Sequence, residues 1–354
     1  MKDTIIIKVD AENLDDELIE KCAKILREGG MVAFPTETVY GLGADALNPK
    51  AVKKIFMAKN RPFDNPLIIH ISKAEDLLPL TEEIPEEAYK VMKKFWPGPL
   101  TLVFKKSNIV PCETTGGCST VAIRMPNNPI AIRLIEKSGV PVAAPSANIS
   151  GKSSPTGAKH VIEDLTGKVD AIIVGGGCNI GIESTVLDMT GEVPTILRPG
   201  GITKEMLEKV LGEVIMDSSV GNLNGNGGKP KFPSVKYTHY SPDAEMIVIQ
   251  GDLDKTAAKI NELKQDYGGS KKIGIICTDE TENKYGKNTE KTIIKSLGSR
   301  KYPEIIAANL FKTLREFDKM DIEIILCESI DPAEIGQAVM DRLKKAAGGY
   351  VIQV

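Results

Sequence analysis

Through position 212 the chain alternates two hydrophobic periods. Short apolar runs, rich in β-branched residues and set off by Gly and Pro, fall at 31–34, 67–71, 100–104, 121–124, 142–144, 171–174, 185–188 and 195–197, and each reads as a strand. Helical spacing occupies some of the gaps. Ala51, Val52, Ile55 and Phe56 share one helical face, Asn48 stands where an N-cap belongs, and Pro49 suits the first turn. This helix must stop by Asn60, because Arg61 precedes Pro62. A second helix is expected over 86–95, stopped by Pro97-Gly98, and a third over 130–137, closed by Gly139.

The pattern then breaks. Residues 217–235 read DSSVGNLNGNGGKPKFPSV, rich in Gly, Asn, Ser and Pro and without a periodic apolar face, which is the composition of a linker. Beyond it the alternation is cleaner: strand 246–249, helix 254–267, strand 272–277, strand 293–297, helix 303–317, strand 322–327 and helix 332–346. That order implies a small Rossmann-like, three-layer α/β domain with a mainly parallel sheet. The expected organisation is a first α/β domain over 1–212, a linker over 213–244 and a second domain over 245–354, with no internal repeat.

Composition narrows the function classes. At 354 residues two domains are the natural expectation, and 42% hydrophobic with 26% charged residues is the make-up of a folded globular chain. A formal net charge of −3 offers no global attraction to nucleic acid, so any such role has to be local. Six cysteines without a C-x-x-C pair, together with three histidines, leave no zinc site of standard spacing. The start lacks a signal-peptide pattern, and no run reaches the roughly 18 apolar residues that span a bilayer. The expectation is a cytoplasmic protein with reduced thiols and no membrane association.

Two nucleotide motifs nearly match and fail. Gly41-Leu42-Gly43-Ala44-Asp45-Ala46 fits G-x-G-x-x-A, but the helix signal begins only after Pro49. Gly151-Lys152-Ser153 resembles the end of a Walker A loop, yet Ser146 stands where its first glycine belongs. Gly175-Gly176-Gly177 suits any tight turn.

Five polar segments at strand ends carry more. They are Phe34-Pro35-Thr36-Glu37-Thr38-Val39-Tyr40-Gly41-Leu42; Lys59-Asn60-Arg61-Pro62 followed by Asn65-Pro66-Leu67 and His70; Ser119-Thr120 running through Arg124 to Pro126; Ala144-Pro145-Ser146-Ala147-Asn148-Ile149-Ser150-Gly151; and Gly181-Ile182-Glu183-Ser184-Thr185-Val186 followed by Leu197-Arg198-Pro199-Gly200. Together these resemble the YrdC family of threonylcarbamoyl-AMP synthases, whose hallmark Lys-x-Arg and Ser-x-Asn pairs are Lys59/Arg61 and Ser146/Asn148 here. The Lys236-Tyr237-Thr238-His239-Tyr240 element extends the resemblance to the longer two-domain form. The resemblance implies an open, twisted mixed sheet with a basic concave cleft, crossed by the linker. Three departures stand out: Asn60 where many relatives carry Gly, Asn127 or Asn128 where a His is common, and Pro233-Ser234-Val235 in place of a Pro-Gly-Met lead-in.

The activity so implied joins L-threonine, bicarbonate and ATP into threonylcarbamoyl-adenylate with release of pyrophosphate. This is the first step toward N6-threonylcarbamoyladenosine in tRNAs that read codons beginning with A. Such a site must hold two anions together and stabilise charge on a leaving pyrophosphate, which suits fixed cations and aimed hydroxyl or amide donors. The resemblance assigns Thr36, His70, Arg124, Ala144 through its backbone and Ser184 to threonine. It assigns Lys59, Thr120, Ser146, Ser154, Arg198 and Tyr237 to ATP, and the hallmark residues Lys59, Arg61, Ser146 and Asn148 to catalysis. Mg²⁺ would ride on the ATP phosphates rather than on a protein cage, with no redox or organic cofactor. A separate threonylcarbamoyl transferase complex is the implied downstream partner, with at most a weak contact to tRNA. The competing reading is an RNA-binding module, supported locally only by Lys93-Lys94 and Lys105-Lys106. Carbamoyl transfer in hydrogenase maturation is disfavoured, because its zinc-finger segments need C-x-x-C pairs.

Overall fold

The computed structural model describes residues 2–218, 220 and 240–354. In the first part, strands β1 (Ile5–Lys8), β2 (Val32–Phe34), β3 (Gly41–Asp45), β4 (Ile68–His70), β5 (Leu100–Lys105), β6 (Thr120–Arg124), β7 (Val142–Ala143), β8 (Ala171–Val174), β9 (Thr185–Asp188), β10 (Thr195–Arg198) and β11 (Ile215–Met216) form one mixed sheet. Its order is β1-β8-β2-β3-β7-β4-β6-β5-β9-β10-β11. Helices α1 (Asp16–Arg27), α2 (Pro49–Lys59), α3 (Glu86–Phe95), α4 (Cys112–Thr115), α5 (Pro129–Ser138), α6 (Ala158–Leu165) and α7 (Lys204–Leu211) complete this part.

All eight expected strands are present, and the three expected helices appear with their caps. Asn48 accepts from the backbone N–H groups of Lys50 and Ala51, and Asn128 caps α5 in the same way, which is the use this chain makes of that position. Asn60 ends α2 in the left-handed region at φ 51°, where Asn is the side chain that substitutes most readily for Gly. The near-match glycines at 41 and 43 lie in β3, not in a phosphate turn: a Cβ on Gly43 would come within 2.7 Å of the Phe34 ring and of Val142. The sequence reading missed β1, β3, β11, α1, α4, α6 and α7. Strand β11 carries the first sheet beyond 212, into the stretch read as linker.

The second part is a five-stranded, all-parallel sheet of β12 (Glu245–Gln250), β13 (Ile273–Cys277), β14 (Thr292–Ser296), β15 (Ile324–Glu328) and β16 (Val351–Gln353), in the order β14-β13-β15-β12-β16. Helix α8 (Leu253–Gly268) covers one face through Ala257, Ile260 and Leu263. Helices α9 (Pro303–Asp318) and α10 (Ile335–Ala346) cover the other. The strand β16 was not foreseen; the three-layer order was. The apolar cluster under α9 and α10 continues into Val39 and Ile182 of the first part, so the two sheets share a packed boundary. Gly181 (φ 74°) makes this approach feasible, since a Cβ there would stand 2.4 Å from the Cα of Ala308 in α9. Of the expected linker, residue 219 and residues 221–239, including Lys236, Tyr237 and His239, lie outside the described residues.

Candidate active site

The cleft follows from how the first sheet is covered. One face packs against α2, α3, α6 and α7 through β-strand residues such as Ala33, Ile69, Leu102, Ile123 and Ala143. On the other face, α1 and α5 cover only the β1-β8-β2-β7 side, through Phe34, Val142 and Ile173. Farther along that face the side chains become small or polar. His70, Arg124 and Thr101 stand in register across β4, β6 and β5, beside a small apolar floor of Val103, Ala122, Val186 and Leu197. An open cleft of about 830 Å³, counting solvent at its mouth, lies here.

One wall is built on β4 and β6. Arg124, 4% exposed, donates through Nε to the Gly98 carbonyl (3.2 Å) and through Nη1 to the Thr38 hydroxyl (2.8 Å). Its Nη2 forms an ion pair with Glu37 at 2.7 Å. Thr36 is locked in a turn of its own: its Oγ1 donates to the Val39 carbonyl (2.6 Å), accepts the Thr38 and Val39 N–H groups, and lies 2.9 Å from the Thr38 hydroxyl. His70 is buried, with Nδ1 3.2 Å from the Ile68 carbonyl. Burial, followed by the nearby Arg124 charge, holds its pKa down to about 3, so the imidazole is neutral at physiological pH.

The hallmark pairs form a knot. Lys59, at the end of α2, is 1% exposed, and its Nζ donates to the carbonyl oxygens of Ser146 (2.5 Å) and Asn148, with the Asn148 side-chain oxygen at 3.5 Å. Burial, with Arg61 adding repulsion, pushes this amine well below its ordinary pKa. Its own carbonyl accepts the Ser150 N–H (2.8 Å), and the Asn148 amide donates to the carbonyls of Ile149 and Lys152. The left-handed Asn60 then turns the chain so that Arg61 reaches the Asn65 and Pro66 carbonyls (3.1 and 3.0 Å). Lys59 therefore serves first as the clamp that shapes the 146–150 turn.

The opposite wall holds Ser154, Glu183, Ser184 and Arg198. Arg198 donates through Nε to the Ser184 carbonyl (3.0 Å) and through Nη2 to the Ser184 hydroxyl (3.1 Å), which is also 2.7 Å from the Thr101 hydroxyl. Ser154 donates its hydroxyl to Glu183. Two arginines of the second part reach this wall from behind. Arg342 of α10, fully buried, donates through Nε to Glu183 (3.0 Å) and through Nη1 to the Pro199 carbonyl (2.8 Å) and to Asp341 (2.9 Å). Arg315 of α9 holds the Ser153 carbonyl (3.0 and 2.6 Å) and Asp164 (2.7 Å).

Thus Thr36, Lys59, Arg61, His70, Arg124, Ala144, Ser146, Asn148, Ser154, Ser184 and Arg198 all line one cleft. Thr120 does not: it is half-buried at the start of β6, on the Arg124 face but beyond Ala122. Tyr237 lies outside the described residues, though its neighbour Tyr240 does line the cleft. The sequence reading left Thr38, Thr101 and Glu183 without roles, and it passed over Arg315 and Arg342 entirely. Both arginines sit at apolar-stripe positions, Arg315 four residues after Phe311 and Arg342 three after Val339, and a charge there signals a buried partner. Lys93, Lys94, Lys105 and Lys106 lie away from the cleft lining. Among the described residues no three His, Cys, Asp or Glu side chains are grouped to hold a metal, and no helix is long and apolar enough to cross a membrane. None of the six cysteines is in a disulfide.

Comparison with known proteins agrees with this geometry. A family described as "Telomere recombination" matches residues 24–200, and one described as "Threonylcarbamoyl-AMP synthase, C-terminal domain" matches residues 202–348. The threonylcarbamoyl-AMP synthase of Pyrococcus abyssi is 50% identical, covering 99% of this chain and 100% of its own length. That of Bacillus subtilis is 46% identical, with 97% of each chain covered. The crystal structure of P. abyssi Sua5 complexed with L-threonine superposes with a TM-score of 0.92 at 49% identity, covering 99% of this chain and 100% of that one. With both family regions matched in order and near-complete relatives at this identity, the chain belongs to the threonylcarbamoyl-AMP synthase family in its two-domain form.

Proposed function

We propose that this cleft condenses L-threonine, bicarbonate and MgATP into threonylcarbamoyl-adenylate and pyrophosphate. The product feeds a separate transferase that modifies tRNA. The observation that carries the reading is the convergence of Lys59, Arg61, Arg124 and Arg198 on one cleft beside the hydroxyls of Thr36, Ser146, Ser154 and Ser184. Three guanidinium groups and the Lys59 amine around one space suit two anionic substrates that must be brought together.

In this reading Arg124 and the neutral His70 face the threonine carboxylate and hydroxyl, with Thr36, Ser184 and the Ala144 backbone completing that subsite. Lys59, Ser146, Ser154 and Arg198 serve the nucleotide, a role the resemblance also gives to Thr120, outside the cleft lining, and to Tyr237, outside the described residues. Arg61 and Asn148 complete the hallmark set around the reacting groups. The deprotonated threonine amine adds to the carbon of CO2 formed from bicarbonate by loss of hydroxide, giving a carbamate, and the proton released by the nitrogen leaves with that hydroxide as water. A carbamate oxygen then attacks the α-phosphorus, and the bond to pyrophosphate breaks. The chain contributes positioning and fixed positive charge rather than a covalent nucleophile. Magnesium enters with ATP: Glu183 is the carboxylate in the lining, and Arg342 and Ser154 already occupy it.

The test is pyrophosphate release from MgATP with L-threonine and bicarbonate each present or omitted. Release that requires both supports the reading. Release indifferent to threonine, or none from folded protein, sinks it.

A further inference from the structure

We propose that Arg342, supplied by the second domain, is a positioning residue for the nucleotide subsite: through Glu183 it fixes Ser154 as a hydrogen-bond acceptor toward the bound nucleotide. This rests on the proposed function above and concerns how its nucleotide side is held.

The argument begins with the direction of one hydrogen bond. A serine hydroxyl has one hydrogen and two lone pairs, and Ser154 gives its hydrogen to Glu183. While Glu183 is ionised it can only accept, so Ser154 can offer the cleft only its lone pairs. A group that Ser154 contacts must then be a donor, such as a ribose hydroxyl or an exocyclic amine, and not a phosphate oxygen. The polarity of the subsite thus depends on the charge of one buried carboxylate.

That charge is set from the second domain. Burial alone would raise the Glu183 pKa; Arg342, then Arg198 and the Ser154 hydroxyl outweigh it and hold the carboxyl below its ordinary range. The groups facing Glu183 are Arg342 with its neighbours Asp341 and Lys345 on α10, Arg198 at the end of β10, Ser154, and Tyr240. Arg342 is more than a counter-charge. Its guanidinium lies over the Tyr240 ring at 5.9 Å and reaches the Pro199 carbonyl, one residue past Arg198. The same side chain therefore fixes the carboxylate that orients Ser154 and the turn that aims Arg198. A lysine there would keep the charge and lose the fork.

The experiment is a double-mutant cycle between Arg342 and Ser154, which each bond Glu183, read on calorimetric binding of a non-hydrolysable ATP analogue and on KM for ATP and for threonine. Arg342→Met and Ser154→Ala should each weaken nucleotide binding by about tenfold, the order expected for one lost buried hydrogen bond. The double variant should be little worse than either single one, because both remove the same contact. KM for threonine should move less than twofold. Arg342→Met should also acquire an acid limb in its pH–activity profile, at higher pH than any limb of the parent, as the unpaired Glu183 takes up a proton. Glu183→Gln should abolish that limb, and Arg342→Lys should restore part of the affinity. Multiplicative losses in the cycle, equal changes in both KM values, or an unaltered pH profile would each overturn the proposal and leave Arg342 as a domain latch. If Arg342→Met does not fold, the cycle is run with Arg342→Lys against Ser154→Ala, and additive losses there overturn the proposal in the same way. Analogue binding needs no turnover, so a parent protein without threonine-dependent pyrophosphate release would refute the enzymatic reading separately.

Discussion

The two walls of the cleft are held in different ways. On the β4–β6 wall, Thr36, Thr38, Glu37 and Arg124 bond or ion-pair with one another, Arg124 also holds the Gly98 carbonyl, and all of these partners belong to the first domain. On the opposite wall, Ser153, Glu183 and Pro199 are each gripped by an arginine from the second domain. One wall is complete within its own domain; the other is finished by a neighbour. A buried arginine is costly to desolvate, so its presence at a domain boundary speaks for geometry more than for stability. The second domain thus has a physical task at the site even though no residue of α9 or α10 lines the cleft.

The largest expected effect falls on the residue that belongs to neither wall. Lys59→Met removes the clamp on the 146–150 turn and a buried positive charge, and threonine-dependent pyrophosphate release should fall by roughly 100- to 1,000-fold. Because the turn lines the cleft in which the proposed reaction brings both substrates together, kcat should fall more than either KM rises. A change confined to one KM would place Lys59 on a single wall. Arg315→Met comes next. It leaves Asp164 buried with Lys152 at 3.8 Å as its remaining ion-pair partner, and unfolding in urea should show a loss of about 3 kcal/mol. Its kinetic signature should be a raised KM for ATP with that for threonine unchanged. Glu37→Gln tests the self-contained wall. The Arg124 guanidinium loses its counter-charge, and KM for threonine should rise by about tenfold, the order of one charge-assisted contact. Equal effects of Arg315→Met and Glu37→Gln on both substrates would erase the contrast between the walls.

The sequence showed these walls unequally, for a physical reason. The β4–β6 wall was legible because its residues sit in short segments where polar side chains break an apolar strand, as Arg124 does after Val121-Ala122-Ile123. Lys59/Arg61 and Ser146/Asn148 were legible as spaced pairs, but not the fact that Lys59 spends its hydrogens on the backbone of the other pair. Such a contact spans 87 residues and leaves no local trace. The bracing arginines lie farther still: Arg342 and Glu183 are 159 residues apart. Their only signal was a charge on a helix stripe that should be apolar. Strand β3 was hidden by its glycines, which read as a turn although Gly43 is small because Phe34 and Val142 crowd it. Helix α1 had a readable pattern in the spacing of Ile19, Cys22, Ala23 and Leu26 behind the capping Asp15, and was overlooked among polar neighbours.

The smallest effect is a pH dependence of stability that separates the walls by titration. His70, on the self-contained wall, has its pKa held down to about 3 by burial and by Arg124, against an ordinary value near 6.5. The folded chain therefore keeps this imidazole neutral where the unfolded chain protonates it. The unfolded state binds more protons below pH 6.5, so stability is lost as pH falls through that window. Between pH 7 and 5.5 His70 should cost about 1 kcal/mol. His160, held down to about 4 by burial and then by Arg315, acts in the same direction from behind the braced wall. Asp45 and Asp318, raised by burial, bind protons more readily when folded and oppose the trend. The difference between the parent and His70→Gln, each followed by urea unfolding across this range, isolates the His70 share: the variant should show the shallower slope. If the slopes coincide, His70 already carries a proton at neutral pH, and a positive imidazolium beside Arg124 would demand a second anion on that wall.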